Sequence, residues 1–384
     1  MTSPVIAPRQ RLTSIDAVRG LIMVVMALDH ARDFLGLKLF LATDLTKTTL
    51  PYFLTRWVTH FCAPGFMFLA GTAAFLAGKT RPALSRFLLT RGLWLVFAEL
   101  TIINFAWTFS FANPGLMVIW ALGWSMILLA ALVWLPTPLL VVVSLATIAL
   151  HNLFDGIHVD ALRDASGAFS SNLGDWLVSV LHQKNSPVQY PLLPWVAVMA
   201  LGYSLGPVFA MDAARRRRTL LWLGTACTAA FIGLRVLNLY GDAAPWTTQP
   251  TSAFTVLSFL NVTKYPPSLL YLLMTLGPLF LALALAEGRR GAVAQVLIVF
   301  GRVPFFYYLL HLLLLHCMAV GLGLAQGFEV RQFLGPFWKF PKGYGLNLIA
   351  VYAAWAVAVL ALYFPSRWFS ALKSRRRDWW LSYL

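Results

Sequence analysis

An imidazole with a carboxylate one helical turn away is the equipment of a general base, and the stretch 14–34 carries one. His30 follows Asp29, and Asp33 stands at i+3, where it can reach the ring, orient it and raise its basicity. Arg32 lies between them. Eleven residues before His30 stands Arg19. At about 100° and 1.5 Å per residue, the two side chains share one stripe of a helix, about 16 Å apart. Charged groups inside a spanning helix are costly and mark a pathway or a site. Arg19 has Asp16 at i−3, so a local ion pair and a cation waiting for an anionic ligand are both open readings.

A second cluster is Arg56 and His60, at i and i+4, followed by Pro64. The proline frees a backbone carbonyl and lets the helix bend around a cavity, a mouth suited to a carbonyl or anionic substrate. The third cluster runs from Gly301 through Arg302, Pro304, Tyr307 and Tyr308 to His311. Pro304 suits the first position of a helix. His311 falls near mid-membrane, where it needs a polar partner that a tyrosine one turn back can supply, and His316 points elsewhere. Glu99 and Asn104 are five residues apart and should fall on roughly opposite faces of one helix. His151, Asp155 and His158 have metal-like spacing, but no fourth ligand is evident and no metal is assigned. Phosphate loops, dinucleotide glycine motifs, nucleophile elbows and H-E-x-x-H motifs are missing.

These residues must be positioned by membrane helices. Of the 384 residues, 59% are hydrophobic and 11% charged, with a mean hydropathy of +0.73. A soluble chain carries about 25% charged residues. The expected fold is therefore an all-α, polytopic membrane bundle in a single domain, 1–384. Ten spans fall near 14–34, 58–78, 91–112, 115–134, 137–154, 189–210, 219–238, 266–286, 304–324 and 345–365. An apolar piece at 291–300 is too short to cross and should lie along the interface or re-enter. The first apolar run is too long and too charged for a cleavable signal.

The net charge of +16 does not point to nucleic acid, because the cations cluster at alternate span boundaries. One face receives eighteen, among them Arg9, Arg11, Lys79, Arg81, Arg86, Arg91, Arg215–Arg218, Arg302 and Arg375–Arg377, and the other eleven. The positive-inside rule then puts both termini in the cytoplasm, with His30 and the long loops 35–57, 155–188, 239–265 and 325–344 outside. Cys62, Cys227 and Cys317 read as small core residues. Trp107, Trp176, Trp195, Trp338, Trp379 and Trp380 read as interfacial belts.

The stretch 14–34, with Asp16 before Arg19-Gly20 and ten residues from that arginine to His30, resembles the membrane acyltransferases. The resemblance is nearest to bacterial proteins grouped with heparan-alpha-glucosaminide N-acetyltransferase. More distantly the chain is similar to acyltransferase-3 proteins that O-acylate cell-envelope sugars, and to the succinyltransferase of osmoregulated periplasmic glucans. His60-Phe61-Cys62-Ala63-Pro64, Tyr190 to Gly206, Tyr265-Pro266-Pro267 and Gly301 to His311 extend it over nearly the whole chain. It implies an enzyme of the bacterial inner membrane that takes acetyl or another short acyl group from cytoplasmic acyl-CoA. The group passes to a hydroxyl or amine of a carbohydrate or other small acceptor at the outer face, with no metal. The heparan enzyme itself has Asn in place of Asp29 and no histidine at position 30, its histidine lying in the loop that follows. Residues 31–59 here hold no histidine, so the role falls to His30 or His60.

On that reading His30 is the base, steadied by Asp29 or Asp33. Arg56 or His60 stabilises the oxyanion, and Arg19, Arg302, Arg91, Tyr307 and His311 bind the acyl-CoA, the arginines through its phosphates. Membrane lipid surrounds the chain, and a homodimer is left open. A proton-coupled transporter or flippase is the alternative that the His/Asp cluster leaves, and a non-catalytic scaffold a third.

Overall fold

The computed structural model describes residues 12–112, 114–163, 167–376 and 378–383. Arg9, Arg11 and Arg377 lie outside them. The helices, in order, are α1 (Thr13–Leu35), α2 (Leu50–Thr59), α3 (Cys62–Gly78), α4 (Leu84–Ala98), α5 (Asn104–Thr108), α6 (Val118–Leu132), α7 (Thr137–Leu150) and α8 (Leu173–Leu181). There follow α9 (Leu192–Ser204), α10 (Ala213–Leu237), α11 (Ser252–Leu260), α12 (Leu269–Ala286), α13 (Ala292–Arg302), α14 (Pro304–Ala325) and α15 (Leu348–Arg375). Among the described residues no strand forms beyond isolated bridges. The protein is an all-helical polytopic membrane bundle.

Eight segments are long and apolar enough to cross a bilayer, including the composite Leu50–Gly78 and Leu84–Thr108. Two of the ten expected spans differ. The 15-residue α6 is short, and the 23-residue α1 carries five charged side chains. Protein surrounds α1: it packs against α2, α3, α12, α13, α14 and α15. Its charges therefore meet neighbouring side chains rather than lipid, which is what makes them tolerable. Polar caps mark the starts of five described helices, Asn172 and Thr251 capping α8 and α11 among them. The side chains of Asp212, Ser268 and Asn347 accept the backbone N–H of Arg215, Tyr271 and Ala350.

The short piece α13 lies flush against α1. A Cβ on Gly20 would stand 1.8 Å from the Leu297 carbonyl oxygen, and one on Gly301 1.8 Å from that of Asp16. Only glycine lets two backbones approach so closely. Pro304 then starts α14 alongside α1. This contact sets the register in which α14 meets the far half of α1.

Several expectations change. Trp107 and Trp195 are buried in the core, because each packs against aromatic rings rather than headgroups. Cys317 is exposed, since it points off the outer face of α14, whereas Cys62 is buried. Within Arg215–Arg218, Arg216 is more than a topology marker. It is buried and grips Glu287 with two hydrogen bonds of 2.6 and 2.9 Å.

Candidate active site

His30 and His311 meet across the contact between α1 and α14. Their rings stack with centroids 4.9 Å apart, and His30 Nδ1 lies 2.6 Å from His311 Nε2. His311 Nδ1 is 2.9 Å from the Tyr307 carbonyl oxygen, which can only accept. That bond puts the proton of a neutral His311 on Nδ1 and leaves its Nε2 a lone pair. His30 must then donate from its own Nδ1, so His30 Nε2 carries the free lone pair. Among the described residues the one hydrogen bond of the His30 side chain is through Nδ1, and the residue is 9% exposed. An oriented imidazole with a bare nitrogen can take a proton.

The expected carboxylate partner is absent from this arrangement. Asp29 Oδ2 accepts from Arg56 Nη1 at 2.5 Å, and its Oδ1 lies 2.7 Å from Arg32 Nη2. Arg32 also reaches Asp33 at 2.8 Å. Both carboxylates are engaged by guanidinium groups, whose bonds to them are stronger than an imidazole would offer. Lys264, which sequence reasoning passed over, sets a further positive charge beside Asp29, His30 and His60. Its neighbour Tyr265 feels this cluster. Burial pushes its phenol up, but Lys264 and Arg56 outweigh it and bring the pKa to about 8.

His60 sits at the break between α2 and α3. Pro64 lacks the N–H that would have bonded the His60 carbonyl, and the Tyr271 hydroxyl takes that oxygen at 2.7 Å. His60 itself is buried and its Nδ1 has no hydrogen-bond partner. Arg56 and His60 do not act on one another as a pair, since Arg56 turns to Asp29. His316 is elsewhere, bonded to the Ala106 and Phe333 carbonyls.

Two cavities approach His30. At the arginine-rich end, a cavity of about 320 Å³ is lined by Arg19, Arg81 and Arg91 and by apolar side chains including Met23, Phe87, Leu95 and Phe305. Tyr308 is part of its wall, and the Tyr308 ring lies 6.1 Å from that of His30. Arg19 Nη1 donates to the Gly301 carbonyl at 3.3 Å and is 3.6 Å from Asp16. Arg302 also faces Asp16, at 3.8 Å, but does not line the cavity. Tyr307 and His311 do not line it either. They stand behind His30, their rings stacked 5.3 Å apart.

At the loop-rich end, a cavity of about 510 Å³ is lined by Glu99, Asn104, Gln189, Gln332, Trp338 and others. Trp107 belongs to that wall, its ring 4.8 Å from His30. Glu99 and Asn104 were expected on opposite faces. A π-helical turn, Glu99–Ile103, closes an i→i+5 bond between them and brings both to this one cavity. Glu99 Oε2 also accepts the Trp120 backbone N–H at 2.9 Å.

A family model described as heparan-alpha-glucosaminide N-acetyltransferase, catalytic, matches residues 11–241. No curated protein matches the chain.

Proposed function

The chain belongs to the heparan-alpha-glucosaminide N-acetyltransferase family and so to the membrane acetyltransferases, and on that premise we propose a transfer reaction centred on His30. An acetyl or other short acyl group comes from acyl-CoA in the cavity at the arginine-rich end. It goes to a hydroxyl or amine of a sugar-type acceptor in the cavity at the loop-rich end. The observation that carries this reading is the bare Nε2 of His30, held by His311 between Tyr308 of one cavity and Trp107 of the other.

His30 Nε2 takes the proton of the acceptor O–H or N–H as that atom attacks the thioester carbonyl. The tetrahedral intermediate collapses, the carbon–sulfur bond breaks, and the CoA thiolate leaves with the proton held by His30. His311 and the Tyr307 carbonyl keep the imidazolium oriented, the part that sequence reasoning gave to Asp29 or Asp33. His60, with an unpartnered Nδ1, is the donor proposed for the oxyanion, and the Arg56–Asp29 contact ties α2 to α1 beside it. Arg19, Arg81 and Arg91 meet the CoA phosphates at the mouth of a pocket whose apolar depth suits the acyl-pantetheine arm. Arg302, outside the cavity wall, shares Asp16 with Arg19.

The positive-inside rule makes the arginine-rich end cytoplasmic and the acceptor end external, in keeping with a bacterial inner membrane. The chain acts as one domain, as monomer or homodimer, in lipid. Membership of a transferase family weighs against the transporter or flippase alternative. His30→Ala, purified as a monodisperse species, should lose acyl transfer and CoA release by about 10³-fold. Full CoA release from that variant would overturn the assignment.

A further inference from the structure

We propose that His151, Asp155 and His182 bind a divalent transition metal of the zinc type, at the loop-rich end and apart from His30. One ligand atom from each of the three lies within 4.8 Å of the others. His182 Nε2 and Asp155 Oδ1 are 3.0 Å apart. Tetrahedral zinc with bonds of about 2.05 Å separates its ligand atoms by about 3.3 Å, so a small inward shift of His151 completes the set. Two imidazoles and a carboxylate with a water in the fourth position are a donor set that zinc accepts.

The unmet hydrogen bonding of the histidines points the same way. His151 is 1% exposed, and neither of its ring nitrogens makes a hydrogen bond, although the Pro267 backbone comes near. His182 Nδ1 is buried and unpartnered as well. A cation bound by one ring nitrogen of His151 would recover part of the free energy that an unsatisfied buried group costs. The Asp155 carboxylate is held at both oxygens, Oδ1 facing His182 Nε2 at 3.0 Å and Oδ2 accepting from Asn152. Asn152 donates from Nδ2 at 2.8 Å and is itself anchored, its Oδ1 accepting the Leu269 N–H at 2.9 Å. That is the outer support a metal ligand needs.

His158, the histidine that local spacing suggested, is exposed and takes no part. The true third member comes 27 residues after Asp155, beyond α8, where no local pattern could place it. The metal would clamp the end of α7 to the segment after α8. Ser186, Pro187 and Gln189 of that segment line the larger cavity. The bound cation thus stiffens one wall of the proposed acceptor site.

The test is metal content and thermal melting of the tag-free full-length protein in detergent, after EDTA and then after Zn²⁺ or Co²⁺. The expected result is about one zinc per chain, a tetrahedral Co²⁺ absorption spectrum, and a Tm higher by about 3 °C with saturating metal. His182→Gln should abolish all three while His158→Ala keeps them. Zinc well below one per chain with an unmoved Tm in the unmutated protein would overturn the proposal. So would full zinc retention in His182→Gln.

Discussion

The two cavities that approach His30 are built from different materials. The one at the arginine-rich end has three guanidinium groups at apolar walls, and the one at the loop-rich end has amides, a buried carboxyl, aromatic rings and two cations, Arg163 and Lys339. Cations over an apolar shaft suit a ligand with phosphates at one end and a thioester at the other. Amides, aromatic faces and Glu99 suit a polar, hydrogen-bonding acceptor. On the proposed reading, the contrast lets a single imidazole serve two substrates that share no binding surface. Each cavity contributes one aromatic ring, Tyr308 or Trp107, to the His30 environment.

The comparison can be broken at its junction first. His311→Ala removes the acceptor that fixes the His30 tautomer, and the turnover number should fall by about 10²-fold with both KM values little changed. A KM effect alone would make His311 a packing residue. Next, Arg81→Ala should raise the KM for acyl-CoA by about tenfold and leave the acceptor KM alone. The mirror experiment is Glu99→Gln, which keeps an oxygen for the Trp120 N–H but replaces the carboxyl's second oxygen with an amide nitrogen. It should raise the acceptor KM by about fivefold without touching that for acyl-CoA. If the two variants exchanged phenotypes, the assignment of the cavities would be reversed.

The smallest expected effect is spectroscopic. Tyr265 should ionise near pH 8, seen as phenolate absorbance that Tyr265→Phe abolishes and Lys264→Met moves to higher pH. The sign follows from the charges beside it: removing a cation makes the phenolate harder to form. No phenolate signal near that pH would mean that the Lys264 and Arg56 charges do not reach the ring.

The helical bundle was legible because long apolar runs bounded by cations have few other physical meanings. Helical periodicity also puts Arg19 and His30 on one stripe of α1. What the sequence hid was contact between distant segments. His30 and His311 are 281 positions apart, and they meet where α14, which follows the close Gly20–Gly301 approach, packs on α1. Asp29 beside His30 looked like its partner because chain neighbours are visible in a sequence, while Arg56 and Arg32 compete for it in space. The π-turn after Glu99 breaks the 3.6-residue period on which face assignments depend, which is why Glu99 and Asn104 were separated wrongly. Arg81 was visible only as one member of a basic boundary. A lysine beside Tyr265-Pro266-Pro267 was the signal for Lys264, and Trp107, three residues after Asn104, had none beyond its size.

The central claim is that donor and acceptor reach His30 from opposite ends of the bundle. It is tested most directly in sealed proteoliposomes of one orientation, with labelled acetyl-CoA confined to the arginine-rich side and acceptor to the other. Labelled product should accumulate on the acceptor side while free CoA appears on the donor side, and His30→Ala should abolish both. Transfer that occurs only when the two substrates share a compartment would contradict the account.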